Sequence, residues 1–245
     1  MQLKQTTLAE RPDLVEAFQR LGDKAWPAFI LHGDASSWNA VYDDFPEYQL
    51  ALLDESGTVV GLGHTAPLCW DGSLDDLPGG IEAILQRGLR IQKQGKGPDT
   101  LSALAAVVPP EHQRQGHSAR ILLAMRALAA SRGIKRLIAP VRPILKAAYP
   151  LQSIERYAAW TRPDGSPFDP WIRVHWDLGA RPLKTEPRSM TVEGSVAEWQ
   201  EWTGMAFPAS GAYVVPGALQ PIEIDIEADR GLYYDPNYWM LHPVE

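Results

Sequence analysis

The sequence contains a single cysteine, Cys69, among 245 residues. One cysteine cannot form an intrachain disulfide, and it cannot supply the thiolate cluster that many zinc and iron–sulfur sites use. The 6 histidines are scattered, without a His-x-His pair or a His-Glu-x-x-His motif, so we expect no metal site. A Gly-x-Ser-x-Gly motif is also missing, which argues against a hydrolase with a serine nucleophile.

The chain also has fewer basic than acidic residues, 23 against 30, and it has no long apolar run. Its formal net charge of −7 is opposite in sign to the basic surface of a general nucleic-acid binder and mildly favours a cationic small molecule. The N-terminus is polar and lacks the apolar stretch of a signal peptide, and no segment is apolar over the length of a bilayer. With 45% hydrophobic and 22% charged residues, the composition is that of a globular protein. We therefore expect a cytoplasmic protein that binds neither nucleic acid nor membrane.

Helix and strand patterns alternate over the first 142 residues. The patterns predict, in order, a strand at Gln2–Thr7, a helix at 10–22, a hairpin at 48–68 and a helix at 78–95. The apolar run Leu101–Val108, closed by two prolines, is typical of a central strand that is covered on both faces. A helix at Ser118–Arg132 and a strand at Ile134–Val141 follow, and together the three segments predict a βαβ unit with parallel strands.

The junction between that strand and that helix gathers polar residues around Gly116. Ligands of open α/β sheets bind at such junctions, and the free N–H groups of a helix N-terminus favour an anion. A Walker A loop would need a lysine and a second glycine, and a dinucleotide fingerprint would need three glycines. The segment has neither, and an ordinary turn without a ligand is the remaining alternative.

Gln113-x-x-Gly116-x-Ser118 follows a strand that ends in Val107-Val108-Pro109 and precedes a helix rich in alanine and leucine. This arrangement resembles the acyl-CoA signature of the GCN5-related N-acetyltransferase (GNAT) superfamily. The usual signature has Gly or Ala where this chain has Ser118, which is small enough to let a pyrophosphate approach the backbone.

The resemblance implies a GNAT-like fold of mixed α/β class, in which helices flank a central mixed, mostly antiparallel sheet and the C-terminal half is elaborated. It implies one domain over residues 1–245. In that domain, residues 1–142 carry the acyl-CoA motif, residues 143–169 are an insertion, and residues 170–245 supply a C-terminal helix and closing strands.

The resemblance also implies which residues bind acyl-CoA. The pyrophosphate would lie along the loop and helix start, which consist of Gln113, Arg114, Gln115, Gly116, His117 and Ser118. Main-chain groups of Val107 and Val108 would bind the pantetheine arm, and the strand N–H groups would polarise the thioester carbonyl. Acetyl-CoA or another acyl-CoA is then the co-substrate, and no metal takes part.

The segment WIRVHWDLGARP resembles the helix that carries a catalytic tyrosine in many relatives, and it has His175 at that tyrosine's position. An imidazole can protonate a departing thiolate at neutral pH. The alternative is that His175 only packs among neighbouring tryptophans. Tyr149 is a second candidate for the proton donor. His64 is a candidate base on the neighbouring strand, although the pattern does not show which face it takes, and Glu111 is poorly placed beside the pyrophosphate loop.

The remaining segments are less specific. The insertion is predicted to hold helices at 144–149 and 151–160. Four aromatic residues in and just after it either wall an acceptor pocket or form a core: Tyr157, Trp160, Phe168 and Trp171. The segments RSMTVEG and QPIEIDIEAD are predicted to be the antiparallel pair that closes the sheet.

The function predicted from these residues is acyl transfer from acyl-CoA to a primary amine of a small molecule, by direct attack of the amine on the thioester. An acyl-CoA-binding or sensor protein without turnover is the alternative, because the sequence shows few acid–base groups. The acceptor, the length of the acyl chain and the oligomeric state stay open, a homodimer included.

Overall fold

The computed structural model describes residues 3–244, in which nine strands form one sheet. The strands are β1 (Lys4–Thr7), β2 (Leu50–Leu53), β3 (Val59–Leu68), β4 (Thr100–Val107), β5 (Arg136–Val141), β6 (Arg181–Gly194), β7 (Gly211–Tyr213), β8 (Ile222–Asp225) and β9 (Arg230–Pro243). Their order across the sheet is β1-β2-β3-β4-β5-β9-β8-β7, and β6 pairs with the opposite edge of β9. The pairing of β4 with β5 is parallel, and the other pairings in this part of the chain are antiparallel.

Seven α-helices of the described range surround this sheet. They are α1 (Val15–Asp23), α2 (Ala40–Asp43), α3 (Ile81–Lys93), α4 (His117–Ser131), α5 (Ile154–Ala158), α6 (Pro170–Asp177) and α7 (Val196–Thr203). The predicted class, a mixed and mostly antiparallel sheet flanked by helices, is confirmed. None of these helices has both the length and the apolar composition needed to cross a membrane.

Helices α1 and α4 cover opposite faces of β3, because successive strand residues point to opposite sides. Phe18 of α1 packs edge-on against His64 of β3. On the other face, a Cβ at Gly61 or Gly63 would lie within 2.9 Å of a side chain of α4. The two glycines therefore let α4 approach the sheet closely, which fixes the position of the α4 N-terminus.

The closing strands differ from the prediction. The segment RSMTVEG lies in β6, but β6 pairs along its length with β9 and not with the segment that contains β8. Strand β8 pairs with β9 through only Glu223, Ile224 and Asp225. The predicted pairing was wrong because β9, a strand of 14 residues, contains Pro236 in its interior and was not recognised as a strand.

The elements of the insertion are shorter than predicted. A 3-10 turn at Lys146–Ala148 and the short helix α5 replace the two predicted helices. Pro150 separates them, and the Ser153 side chain accepts a hydrogen bond from the Arg156 N–H, so that α5 begins only at Ile154. At the N-terminus, β1 begins at Lys4, and Gln2 lies outside the described residues.

Candidate active site

A gap opens in the middle of the sheet, between its two parallel strands. Strands β4 and β5 pair at only three positions, Thr100 with Arg136, Leu101 with Leu137 and Ser102 with Ile138. Beyond Ser102, β4 continues to Val107 without a partner on this edge. A β-bulge lies at the same point, since His64 is opposite Ala105 while Thr65 is opposite Ala103. The extra residue bends β4 and increases its divergence from β5.

A cleft of about 890 Å³ passes through this gap. Leu122 and Met125 of α4 line it on one face of the sheet, whereas Trp38, Tyr42 and His64 line it on the other. Because residues of both faces border one cleft, a long ligand can cross the sheet between β4 and β5. The exposed backbone edge of β4 can bind such a ligand as an additional strand would.

Most of the residues predicted to bind acyl-CoA line this cleft. Those that do are Val107, Val108, Gln113, Arg114, Gly116, His117 and Ser118. Gln115 is not among the lining residues. Its side-chain amide donates instead to the carbonyl oxygen of Glu111, at 3.3 Å.

The start of α4 presents a cluster of unused hydrogen-bond donors. Gly116, in left-handed conformation with φ of 76°, is the N-cap, and no side chain caps the helix. Within residues 3–244, the backbone N–H groups of residues 114–119 donate to no other protein group. The ring nitrogens of the buried His117 are likewise without partners in the described chain. Free N–H groups at the positive end of a helix dipole form an anion site.

His175 lies in α6, is buried, and lines the cleft beside Trp171, whose ring it meets edge-on at 4.5 Å between centroids. Its Nδ1 lies 2.8 Å from Nε2 of His242, on β9. Its Nε2 has no partner within the described residues. Burial lowers the pKa of His175 well below its ordinary value, and the neighbouring His242 lowers it further, so the ring is neutral at pH 7.

The structure does not bring Tyr149 to the cleft. Its ring packs against Trp160, Phe168 and Tyr157, with centroids 5.0 to 6.0 Å apart. These aromatic residues pack on one another around the buried Tyr157. Of the four that the sequence offered as a pocket wall, Trp171 is the one that borders the cleft.

His64 faces the cleft and is buried among the rings of Phe18, Trp38 and Tyr42, at centroid distances of 5.3 to 5.8 Å. Neither ring nitrogen of His64 has a hydrogen-bond partner in residues 3–244. Burial lowers the pKa of His64 to about 4. The candidate base therefore lies at the cleft, and its ring is neutral at pH 7.

No protein-family model matches the sequence. The sequence is 33% identical to the arginine N-acetyltransferase avaD of Aspergillus versicolor, over 97% of this chain and 93% of that protein. Two solved structures share the fold at 16% identity. One is the loading GNATL domain of CurA from Lyngbya majuscula, with a TM-score of 0.53 over 99% of this chain and 97% of that domain. The other is the GphF GNAT-like decarboxylase in complex with isobutyryl-CoA, with a TM-score of 0.55 over all of both chains.

The chain belongs to the GNAT superfamily. The superfamily that the loop at Gly116 predicted is thereby confirmed, and so is the class of enzyme, an acyl-CoA-dependent N-acetyltransferase. Within residues 3–244, no group of three or more His, Cys, Asp or Glu side chains is arranged to hold a metal ion.

Sequence reasoning missed the part of the GNAT cleft that lies on the α1 face. Trp26, Trp38 and Tyr42 are half-buried there and line the cleft together with His64. Trp26 and Trp38 lie in the connection between α1 and α2, and Tyr42 lies in the short α2. These segments have no periodic pattern that would indicate residues lining a cleft.

A buried ion pair borders the same cleft. The Arg142 Nε lies 3.1 and 2.9 Å from the two carboxylate oxygens of Asp235, which also accepts from the Tyr233 hydroxyl and the Asn237 amide. Four donor contacts occupy this carboxylate, and the Arg142 guanidinium also donates to the carbonyl oxygen of Gly217. The arrangement ties the end of β5 to β9 and leaves no free negative charge at this point.

Proposed function

We propose that this enzyme transfers the acetyl group of acetyl-CoA to a basic nitrogen of a small molecule of the arginine type. The observation that carries the proposal is the single cleft that joins the donor-rich start of α4 to an aromatic wall on the other face of the sheet. Such a cleft can hold coenzyme A at one end and an acceptor at the other, with the thioester in the gap between β4 and β5. The near full-length likeness to an arginine N-acetyltransferase supports an acceptor of this kind.

The pyrophosphate of acetyl-CoA is proposed to bind at residues 113–118. Gly116 turns the backbone so that the N–H groups of the first turn converge, and Arg114 adds a positive charge to the same end of the cleft. Gln115 contributes through its backbone N–H, since its side chain is directed to Glu111. Val107 and Val108, on the open edge of β4, are proposed to bind the pantetheine arm through main-chain groups.

The acceptor is proposed to bind against Trp26, Trp38 and Tyr42. Asp235 cannot serve as the partner of a cationic acceptor, because Arg142 already neutralises it. Aromatic faces attract guanidinium and ammonium groups, by about 0.5 to 2 kcal/mol for each ring. The net charge of −7 favours the approach of a cation.

A cationic acceptor first releases one proton to water, because only a neutral nitrogen has the lone pair that attacks. That nitrogen then forms a bond to the thioester carbonyl carbon and the carbon–sulfur bond breaks, with its electron pair going to sulfur. The nitrogen loses a second proton in this step, and the sulfur takes up one. His64, on the acceptor side and neutral at pH 7, is proposed to accept a hydrogen bond from the attacking nitrogen. His175 is proposed to donate one toward the thioester, because a neutral imidazole is a good hydrogen-bond donor but gives up its proton only with difficulty.

The proposal is tested by calorimetric titration with acetyl-CoA, isobutyryl-CoA and free coenzyme A, followed by assay of thiol release with arginine, lysine and agmatine as acceptors. We expect micromolar binding of acetyl-CoA and thiol release that depends on arginine or agmatine. Binding without release for all three amines would favour the sensor alternative over the transferase.

Two glycines of α4 provide a matched test of the pyrophosphate site. Gly116 and Gly133 lie at opposite ends of the helix, have φ of 76° and 70°, and neither has a heavy atom within 4 Å of an added Cβ. Aspartate tolerates this conformation better than most residues. Gly116→Asp places a negative charge at the pyrophosphate and should weaken acetyl-CoA binding roughly 10- to 100-fold, the equivalent of about one charge-assisted hydrogen bond. Gly133→Asp should leave affinity unchanged, and equal effects of the two changes would refute the assignment.

A further inference from the structure

His175 and His242 form a buried pair that the acyl-CoA motif does not reveal. Their side chains are 2% and 1% exposed, and the facing nitrogens, Nδ1 of His175 and Nε2 of His242, lie 2.8 Å apart. The two outer nitrogens, Nε2 of His175 and Nδ1 of His242, have no partner within residues 3–244. Since buried polar atoms are usually hydrogen-bonded, two unused nitrogens in one pair need an explanation.

The pair is neutral at pH 7. Burial, together with the positive charge of Arg126 on α4, lowers the pKa of His242 to about 4. Burial likewise lowers the pKa of His175. Two neutral rings in contact share one proton between the facing nitrogens, so either His175 or His242 is the donor.

The surroundings distinguish the two arrangements. In either arrangement one outer nitrogen carries a proton that has no acceptor within residues 3–244. If His175 donates from Nδ1, this proton lies on Nδ1 of His242, whose ring does not line the cleft and is exposed to the positive charge of Arg126. If His242 donates from Nε2, its Nδ1 is a bare lone pair, which the same positive charge favours. The proton of His175 then lies on Nε2, on the one ring of the pair that lines the cleft.

We propose that His242 is a positioning residue that holds His175 in the neutral tautomer with its proton on Nε2, so that a hydrogen-bond donor faces the thioester. This role rests on the proposed function. The N–H of His175 stabilises the negative charge that develops on the thioester as the amine attacks, and no proton leaves the pair. A donor that is already oriented in a dry site stabilises such charge more than water does.

The first test needs neither acyl-CoA nor turnover. Nitrogen NMR of the ¹⁵N-histidine-labelled protein at pH 7 shows which ring nitrogens carry protons, and the variants His175→Gln and His242→Gln assign the signals. We expect protonated Nε2 and bare Nδ1 in both rings. A proton on Nδ1 of His175 would overturn the proposal whatever reaction the enzyme performs.

The second test is kinetic. Glutamine at position 242 can place an amide N–H where His242 has Nε2, whereas methionine fills similar space without a donor. His242→Met should lower kcat roughly 10- to 100-fold with little change in KM for acetyl-CoA. This loss of kcat is somewhat smaller than the loss that follows removal of a hydrogen-bond donor itself. His242→Gln should restore kcat to within about threefold of wild type.

Equal losses of kcat in both variants, together with equal losses of Tm, would show a packing role and refute the positioning role. If the methionine variant does not fold, the tautomer measurement on the wild-type protein still decides the question. If the wild-type enzyme releases no thiol with any amine, the proposed function fails while the tautomer result stands by itself.

Discussion

His64 should make the stability of this enzyme strongly dependent on pH. Its ring is 1% exposed and burial lowers its pKa from 6.5 to about 4. Between these values the unfolded chain binds a proton that the folded chain does not bind, so stability is fully present above pH 6.5 and is lost as the pH falls toward 4. At pH 5, the two pKa values give a loss of about 2 kcal/mol relative to pH 7, and the loss reaches about 3 kcal/mol below pH 4.

The variant His64→Leu separates this effect from general acid unfolding. Leucine is close in size to histidine, fits among Phe18, Trp38 and Tyr42, and does not titrate. We expect the variant to lose about 2 kcal/mol less than wild type between pH 7 and pH 5, while the buried pair of His175 and His242 still contributes to the remaining loss. Urea unfolding followed by tryptophan fluorescence at pH 7, 6 and 5 measures the difference.

The control is His32→Gln, at an exposed histidine that stacks on the ring of Trp202. It should retain the wild-type dependence of stability on pH, because the change leaves the buried His64 in place. If His64→Leu keeps the wild-type dependence as well, His64 takes up a proton in the folded state, and the cleft around it is more hydrated than its burial indicates.

Three further substitutions test the packing that supports the site, each by its free energy of unfolding in urea. Gly88→Ala should destabilise the protein by about 1–3 kcal/mol although alanine favours helix, because the new Cβ would lie 2.7 Å from the Pro67 carbonyl oxygen. Gly22→Ala, where no heavy atom lies within 4 Å of the new Cβ, should instead stabilise it by up to about 1 kcal/mol; a gain at both positions would contradict the contact at Gly88. Asp169→Asn should cost about 2–3 kcal/mol, because the carboxylate accepts from four donors, among them the Leu145 N–H and the Tyr157 hydroxyl, and an amide can accept at only one of its two ends.

The segment from β4 to β5 is predictable from sequence because its signals are local. The unbroken apolar run of β4, the left-handed Gly116 before α4 and Gly133 after it each act within a few residues. The acyl-CoA motif can be recognised from sequence for the same reason, because backbone N–H groups of one short loop supply the donors.

Strand β9 is not predictable in the same way. Asp235-Pro236-Asn237 is a typical turn sequence, and proline is normally excluded from the interior of a sheet. In the structure, Pro236 lies where the register of β6 shifts between Glu186 and Met190. At this shift β6 does not pair with Pro236, so no ladder hydrogen bond is required from the proline. The two segments are about 50 residues apart in sequence, and a local pattern does not reveal their pairing.

The placement of His64 and His175 in the site likewise depends on contacts between residues that are far apart in sequence. The face taken by His64 follows from its strand register beside the bulge at Leu104 in the neighbouring strand. The partner of His175 lies 67 residues later, at His242. Tyr149 was a second candidate beside His175, because nothing local distinguishes a tyrosine that packs on the aromatic residues of an insertion from one that faces a cleft.

The pairing of β5 with β9 also sets an order on synthesis. Strand β5 leaves the ribosome about 100 residues before residues 238–243 of β9, which cover its free edge. Until residues 230–243 have been made, the nascent chain carries uncovered edges on β5 and β6, which are the kind of edge that pairs with other chains. The His175–His242 pair also needs β9, so a chain truncated before residue 230 has the acyl-CoA motif but lacks the strand that covers these edges.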